Sequence, residues 1–324
     1  MSDNGEAIVQ VEDLRKTFGG IVAVDDASFA LDEGKITGLI GPNGAGKTTT
    51  FNLLSGFYRP DSGSITFRGR DIHEIMQPSS TENRIWVTAS SGTLGFAGLA
   101  LTAAEGLSPA MMGGGTLLGV GLGAGLYFGQ QHIRSEYREE RPSRPFMLTR
   151  AGMARTFQIT RELENMTVAE NLMLGPQGQR GENLLYSWLR PGTVRNQEAE
   201  ILGRAEEVME LLELTHVADE LSGNLSGGQR KLLELGRILM TDPDVILLDE
   251  PVAGVNPSLR ENLLERIEDL RDQGYTFCVV EHDMDVIMNI SDKVIVMDQG
   301  DVLVEGPPEI IREDERVIDA YLGG

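Results

Sequence analysis

Cysteine is almost absent: Cys278 is the only one in 324 residues. A lone thiol cannot form an intrachain disulfide, and it excludes a Cys-rich zinc site. It lies in the apolar run Phe277-Cys278-Val279-Val280, which reads as a buried, inert position. Positive charge is scarce as well. Lys and Arg total 28 against 50 Asp and Glu, a formal net charge of -22. That balance works against nucleic acid as a main partner, because a polyanion is bound by replacing its counterions with Lys and Arg. The N-terminal Met1-Ser2-Asp3-Asn4-Gly5-Glu6 is acidic and has no apolar run, so no secretory signal is read there and the expected compartment is the cytoplasm. Apolar residues, by contrast, make up 40% of the chain, enough for a large core and too many for a disordered chain.

Among the basic residues lysine is the rare one: Lys16, Lys35, Lys47, Lys231 and Lys293 are all there are. Many acids with few lysines suit a surface that stays hydrated in a salt-rich cytoplasm. At low salt such a charge should repel itself and loosen the fold. The expectation is a protein that works in molar salt.

Residues 8–40 alternate apolar and polar side chains, with turns at Gly19-Gly20 and Asp32-Glu33-Gly34, a strand pattern. A short apolar strand at 36–40 runs into a glycine-rich stretch and then a helical pattern at 48–54, the layout of a βα unit. Asp61-Ser62-Gly63-Ser64 reads as a turn before a strand at 65–67. Segments 168–174, 199–214 and 259–270 have helical apolar spacing, and 245–248, 275–280 and 294–297 are continuous apolar strands. Strands alternating with helices predict an α/β core with parallel pairing.

Gly41-Pro42-Asn43-Gly44-Ala45-Gly46-Lys47-Thr48 fits the phosphate-binding loop pattern, and Thr49 follows it. Glycines let successive backbone N–H groups wrap a phosphate, and the next helix adds its positive end. Lys47 is placed to reach the β- and γ-phosphates, and Thr48 to give a hydroxyl to Mg²⁺. Val245-Ile246-Leu247-Leu248-Asp249-Glu250 is a buried-strand run ending in two carboxylates. Asp249 suits the Mg²⁺ shell, and Glu250 the orienting or deprotonation of an attacking water. Leu225-Ser226-Gly227-Gly228-Gln229 precedes a helical segment at 230–240, which makes a second anion-binding helix start with a hydroxyl.

This pentapeptide, lying between a phosphate loop and a strand ending in Asp-Glu, resembles the signature of the ATP-binding cassette (ABC) ATPases. The resemblance covers residues 7–72 and 147–324. It implies an α/β P-loop NTPase fold, an ABC cassette with an antiparallel β subdomain and a helical subdomain. The whole chain, 1–324, would be a single nucleotide-binding domain, with its helical subdomain at 159–224 and a family-specific tail at 305–324. It implies ATP and Mg²⁺ as ligands, and cassettes that pair head to tail. Ser226, Gly227, Gly228 and Gln229 would then face the γ-phosphate on the partner's loop. By the same resemblance Phe18 would stack on adenine. Gln158 would touch Mg²⁺ and water and sense the membrane partner, and His282 would be the switch histidine at the γ-phosphate. Residues 251–256 would cross the dimer interface, with Asn256 standing where many cassettes have Asp.

Within the family, Ala253-Gly254-Val255-Asn256-Pro257, Gly152-Met153-Ala154-Arg155-Thr156-Phe157-Gln158 and the tail Val317-Ile318-Asp319-Ala320-Tyr321-Leu322-Gly323 resemble ATPases of branched-chain amino-acid importers. A lipopolysaccharide-export ATPase is the alternative. The implied partners are a second cassette, membrane permease subunits and, indirectly, a substrate-binding protein, at the cytoplasmic face of the cell membrane. A soluble cassette acting on ribosomes or DNA fits poorly with one set of motifs, no long heptad run and the acidic charge.

One block has no place in the family pattern. Residues 85–104 carry no charge, and 107–133 carry none apart from the titratable His132. Segments 85–104 and 110–129 each have 20 residues, the length of a bilayer-spanning helix. Arg84 lies before them, and Arg134, Arg138, Arg141 and Arg144 after, so both ends would face the cytoplasm. The expectation is an inserted hydrophobic helical hairpin at 84–133 that anchors the cassette in the membrane.

Overall fold

The computed structural model describes residues 6–77, 145–156, 163–182 and 184–322. The chain divides into two units, Met1–Met76 with Arg144–Gly324, and Gln77–Ser143. The hairpin expected at 84–133 lies outside the described residues, as does Gln158. Among the described residues, no helix is long and apolar enough to cross a membrane.

Strands β1 (Ala7–Phe18) and β2 (Ile21–Asp32) form an antiparallel hairpin, turned at Gly19 and Gly20. Strand β3 (Ile36–Ile40) leads into helix α1 (Lys47–Leu54). Then come β4 (Ser62–Phe67), β5 (Arg70–Asp71) and α2 (Ile72–Ile75). Helix α3 (Pro145–Ala151) precedes β6 (Met153–Arg155). Helices α4 (Val168–Met173), α5 (Leu184–Leu189) and α6 (Pro191–Leu211) follow, then α7 (Gly227–Leu239). The remainder is β7 (Val245–Asp249), α8 (Pro257–Asp272), β8 (Thr276–Val280), α9 (Met284–Ile290), β9 (Lys293–Asp298), β10 (Asp301–Gly306), α10 (Pro308–Glu313) and α11 (Glu315–Leu322).

Two sheets result. The antiparallel one runs β2-β1-β4-β5, the mixed one β10-β9-β3-β8-β7-β6. In the mixed sheet only the β10–β9 pair is antiparallel. The parallel pairing expected from sequence therefore holds in the middle and stops at one edge, where a short turn after Asp298 suffices to reverse the chain. Strands β3, β7 and β8 are buried at every residue, which is why they read as unbroken apolar runs.

Alternation along these strands splits the core in two. Ile246, Leu248, Phe277, Val279, Val294 and Val296 pack with helices α4, α6, α7 and α8 on one face. Leu247, Cys278, Val280, Ile295 and Met297 pack with the antiparallel sheet and α1 on the other. The period of two in a strand produces this division. Parallel pairing puts the carboxyl ends of β3, β6, β7 and β8 along one edge, where ligands of such sheets bind.

Two expectations need correcting. The helix expected at 199–214 spans Pro191–Leu211, because its first turns are mostly exposed and carry little apolar periodicity. The turn expected at 61–64 is shorter: Ser62 and Ser64 already pair with Arg15 and Glu12 of β1, main-chain bonds that polar side chains do not advertise.

Candidate functional site

At the end of β3 the chain enters the loop 41–46. Gly46 caps α1 in the left-handed region, with φ 97°. A Cβ there would lie 2.4 Å from the Ala23 carbonyl oxygen, so only glycine fits. The loop is fastened from outside: the Gly300 N–H donates to the Ala45 carbonyl at 3.1 Å, and the Asp25 N–H to the Gly300 carbonyl at 2.8 Å. Gly41, Ala45 and Lys47 are buried, Pro42, Gly46 and Thr49 half-buried, and Asn43, Gly44 and Thr48 exposed. Lys47 Nζ curls back to donate to the Gly41 carbonyl at 2.7 Å and the Pro42 carbonyl at 2.9 Å. Burial lowers its pKa, and the nearby Glu250 carboxylate opposes that. From the last helix, the Tyr321 phenol is raised by burial, while the Gly41 backbone N–H pulls it down.

At the end of β7, Asp249 is buried, and its Oδ2 lies 2.9 Å from Arg155 Nη2. Arg155 also donates to Asn52 Oδ1 at 2.6 Å and Ser55 Oγ at 2.8 Å, and lies over the rings of Phe51 and Phe57. It thus ties α1, β6 and the end of β7 together. Burial lowers the Arg155 pKa, and Asp249 holds it up.

Glu250 comes next, in the left-handed region at φ 48°, with its N–H donating to the Val280 carbonyl at 2.9 Å. A non-glycine residue in this region is a local strain, of a kind that gathers at functional sites. Its Oε1 lies 2.9 Å from Nε2 of His282, which follows β8 by two residues. The sequence puts 31 positions between these two side chains; the parallel register of β7 and β8, Asp249 opposite Val280, brings them together.

Phe18, 42% exposed at the tip of the hairpin, meets Tyr58 edge to face, with ring centroids 5.2 Å apart. Asp61 accepts from Lys16 Nζ at 2.8 Å and from the Thr17 N–H and hydroxyl at 2.7 Å each, which steadies the strand end that carries Phe18.

Ser226 caps α7 with a complete capping box: its hydroxyl accepts from the Gln229 N–H, and the Gln229 side chain accepts from the Ser226 N–H. Gln229 Nε2 lies 3.4 Å from His216 Nε2. Ser226 and Gly227 are exposed, and Gly228 is buried. A Cβ on Gly228 would fall 2.6 Å from Leu259 Cδ1, so this glycine allows α7 and α8 to touch. Among the described residues no hydrogen bond or ion pair joins 226–229 to loop 41–46, Asp249, Glu250 or His282.

The sequence assigned no role to four residues of this region: Tyr58, Asp61, Arg155 and Glu281. Arg155 lies inside the motif at 152–158, and Glu281 directly precedes His282. A charge placed against a strand's carboxyl end was the available signal.

A family model described as "ABC transporter" matches residues 24–96 and 128–253, and one described as "Branched-chain amino acid ATP-binding cassette transporter" matches 302–324. The first match breaks inside the charge-free block. The chain is 34% identical over 320 residues to the probable branched-chain amino acid transport ATP-binding protein LivG of Archaeoglobus fulgidus, covering 98% of this chain and 95% of that one. It is 34% identical over 319 residues to the high-affinity LivG protein of Salmonella typhimurium, with 98% of each covered. Among solved structures it resembles a nucleotide-free ATP-binding cassette from an ABC transporter, with TM-score 0.66, 29% identity, and 98% and 100% of the two chains covered. It also resembles the ADP conformation of such a cassette, with TM-score 0.67, 29% identity, and 98% and 99% covered.

Proposed function

The chain belongs to the ABC transporter family, and we propose that it is the ATP-hydrolysing subunit of an importer for branched-chain amino acids or related amides. The tail match at 302–324 favours this substrate class over the lipopolysaccharide-export reading. ATP-driven closure of two cassettes, two copies or one copy and a relative, would drive separate permease subunits at the cytoplasmic face of the membrane.

The observation that carries the catalytic assignment is the Glu250–His282 pair, 2.9 Å apart at the same sheet edge as a lysine-bearing glycine loop. Loop 41–46 would wrap the phosphates with its N–H groups. Lys47 would exchange its two carbonyl partners for phosphate oxygens. Its present bonds to the Gly41 and Pro42 carbonyls keep the ammonium at the loop. Thr48, Thr49 and the loop N–H groups supply the other donors. Adenine would stack on Phe18, with Tyr58 bracing the ring from its edge.

The donor set suits Mg²⁺, which takes hard oxygen ligands. The exposed Thr48 hydroxyl and the Asp249 carboxylate would hold it, with the Gln158 side chain as a third ligand. Arg155 takes one Asp249 oxygen and so fixes the direction of the other. When bound, the ion neutralises charge on the β- and γ-phosphates.

Glu250 then orients the water and accepts its proton as the oxygen attacks the γ-phosphorus, with ADP leaving in line. His282 holds the Glu250 carboxylate and faces the γ-phosphate. Ser226 to Gln229 would complete the site of the opposite cassette with the Ser226 hydroxyl and backbone N–H groups at a helix start.

Glu250→Gln tests this reading. The amide keeps the shape and loses the base. ATP binding should persist, hydrolysis should fall roughly 10²-fold or more, and a closed dimer should accumulate with ATP. Turnover at the parental rate would remove Glu250 from the role.

A further inference from the structure

Glu281 takes no part in the chemistry above, yet only 5% of it is exposed. A carboxyl group is buried at a cost unless donors meet it. Here the donor comes from another chain segment. The Val252 N–H donates to Oε1 at 3.0 Å. Val252 stands two positions after Glu250, and His282 directly follows Glu281. One buried side chain therefore spans the gap between the segments that carry the two members of the Glu250–His282 pair.

The surroundings make this link matter. Glu250 is in the left-handed region, so its direction depends on what holds the chain after it. Pro251 and Val252 are buried, while Ala253, Gly254 and Asn256 beyond them are exposed. A second tie runs parallel at the surface, where Arg260 Nη2 lies 2.9 Å from Asp283 Oδ2. Burial raises the Glu281 pKa; the Val252 N–H opposes this, and the Glu250 charge adds to the rise.

We infer that Glu281 is a positioning residue: by accepting from the Val252 N–H it ties the segment that carries His282 to the segment that carries Glu250, and so holds the pair at hydrogen-bonding distance. The inference rests on the reading that this pair activates the water.

Two substitutions test it in the full chain with ATP and Mg²⁺. In Glu281→Gln the amide oxygen still accepts from Val252. In Glu281→Leu the volume is filled and no acceptor is left. Leu should lower kcat roughly tenfold or more with KM for ATP and nucleotide affinity within about twofold, while Gln stays within about threefold of the parent. A purely structural role would not separate kcat from KM in this way. Parental kcat in the Leu variant, or a Gln variant as slow as Leu, overturns the inference. Should Leu fail to fold, hydrogen exchange at the Val252 amide of the Gln variant decides. Retained protection with near-parental kcat supports the link, and lost protection with near-parental kcat overturns it. Glu250→Gln is measured alongside. If Glu250→Gln is inactive while Glu281→Leu is at the parental rate, only the positioning role falls. If Glu250→Gln is active, the hydrolytic pair itself falls.

Discussion

Asp61 shows how a side chain outside every motif serves the site. Hydrogen bonds from the Lys16 ammonium, and then from the Thr17 hydroxyl and N–H, hold its pKa down to about 2. The folded pKa lies below the unfolded one, so the ionised form favours the native state. That contribution is complete above about pH 4 and is lost as the pH falls towards about 2. The group is partly exposed, and solvent screening keeps the effect modest. Asp61→Asn should therefore lower the denaturant midpoint at pH 7, and the gap to the parent should narrow as the pH drops below about 4. The variant should also raise KM for ATP, because Thr17 precedes Phe18. A constant gap across that window, with unchanged KM, would remove Asp61 from both roles. Cys278, fully buried with its thiol pushed up to about 12, has the inert character its sequence context suggested.

Helix α7 ties the signature residues to the packing of the cassette. Its N-cap, Ser226, has a capping box worth about 1 kcal/mol of stability. Gly228 brings the same first turn against Leu259 of α8, whose own N-cap, Asn256, accepts from the Leu259 N–H at 3.0 Å. Asp would cap that helix equally well, so the departure from the family's Asp at 256 leaves the cap intact. The exposed side of the Ser226 turn is what a second cassette would meet. Ser226→Arg should leave nucleotide affinity at the parental value and stop hydrolysis, because bulk and charge would keep an opposing γ-phosphate away. Ser226→Ala, which loses the cap and the hydroxyl without adding bulk or charge, should be impaired less than Ser226→Arg. Turnover of Ser226→Arg at the parental rate would refute a site completed in trans.

Over the whole chain the dominant electrostatic fact is the charge of -22. Several of the ion pairs have at least one well-exposed member, such as Arg204–Asp242 and Arg68–Asp244, and contribute little each. The unbalanced acids repel one another across the surface. Added salt shortens the reach of that repulsion to about 3 Å at 1 M. The thermal midpoint should rise between dilute buffer and molar potassium chloride, with hydrolysis following it. The same midpoint in both would show that the acidic surface carries no dependence on salt.

What the sequence determined by itself was the central strands, the main helices around them and a phosphate-binding loop. The loop at 41–46, the apolar strands ending at Asp249 and Val280, and the capped start of α7 were legible because each depends on neighbours a few positions away. Periodicity, glycine freedom and capping act over that range. The tertiary structure decided which ends meet. Arg155 reaches Asp249 across 94 positions, Lys16 reaches Asp61 across 45, and Glu281 reaches back to Val252 across 29. The first and last of these contacts follow from the order β3-β8-β7-β6 and its register, and the Lys16–Asp61 contact from the pairing of β1 with β4. No local pattern encodes that order. It is set by how two faces of one sheet bury their apolar side chains at once, against helices on one side and the antiparallel sheet on the other.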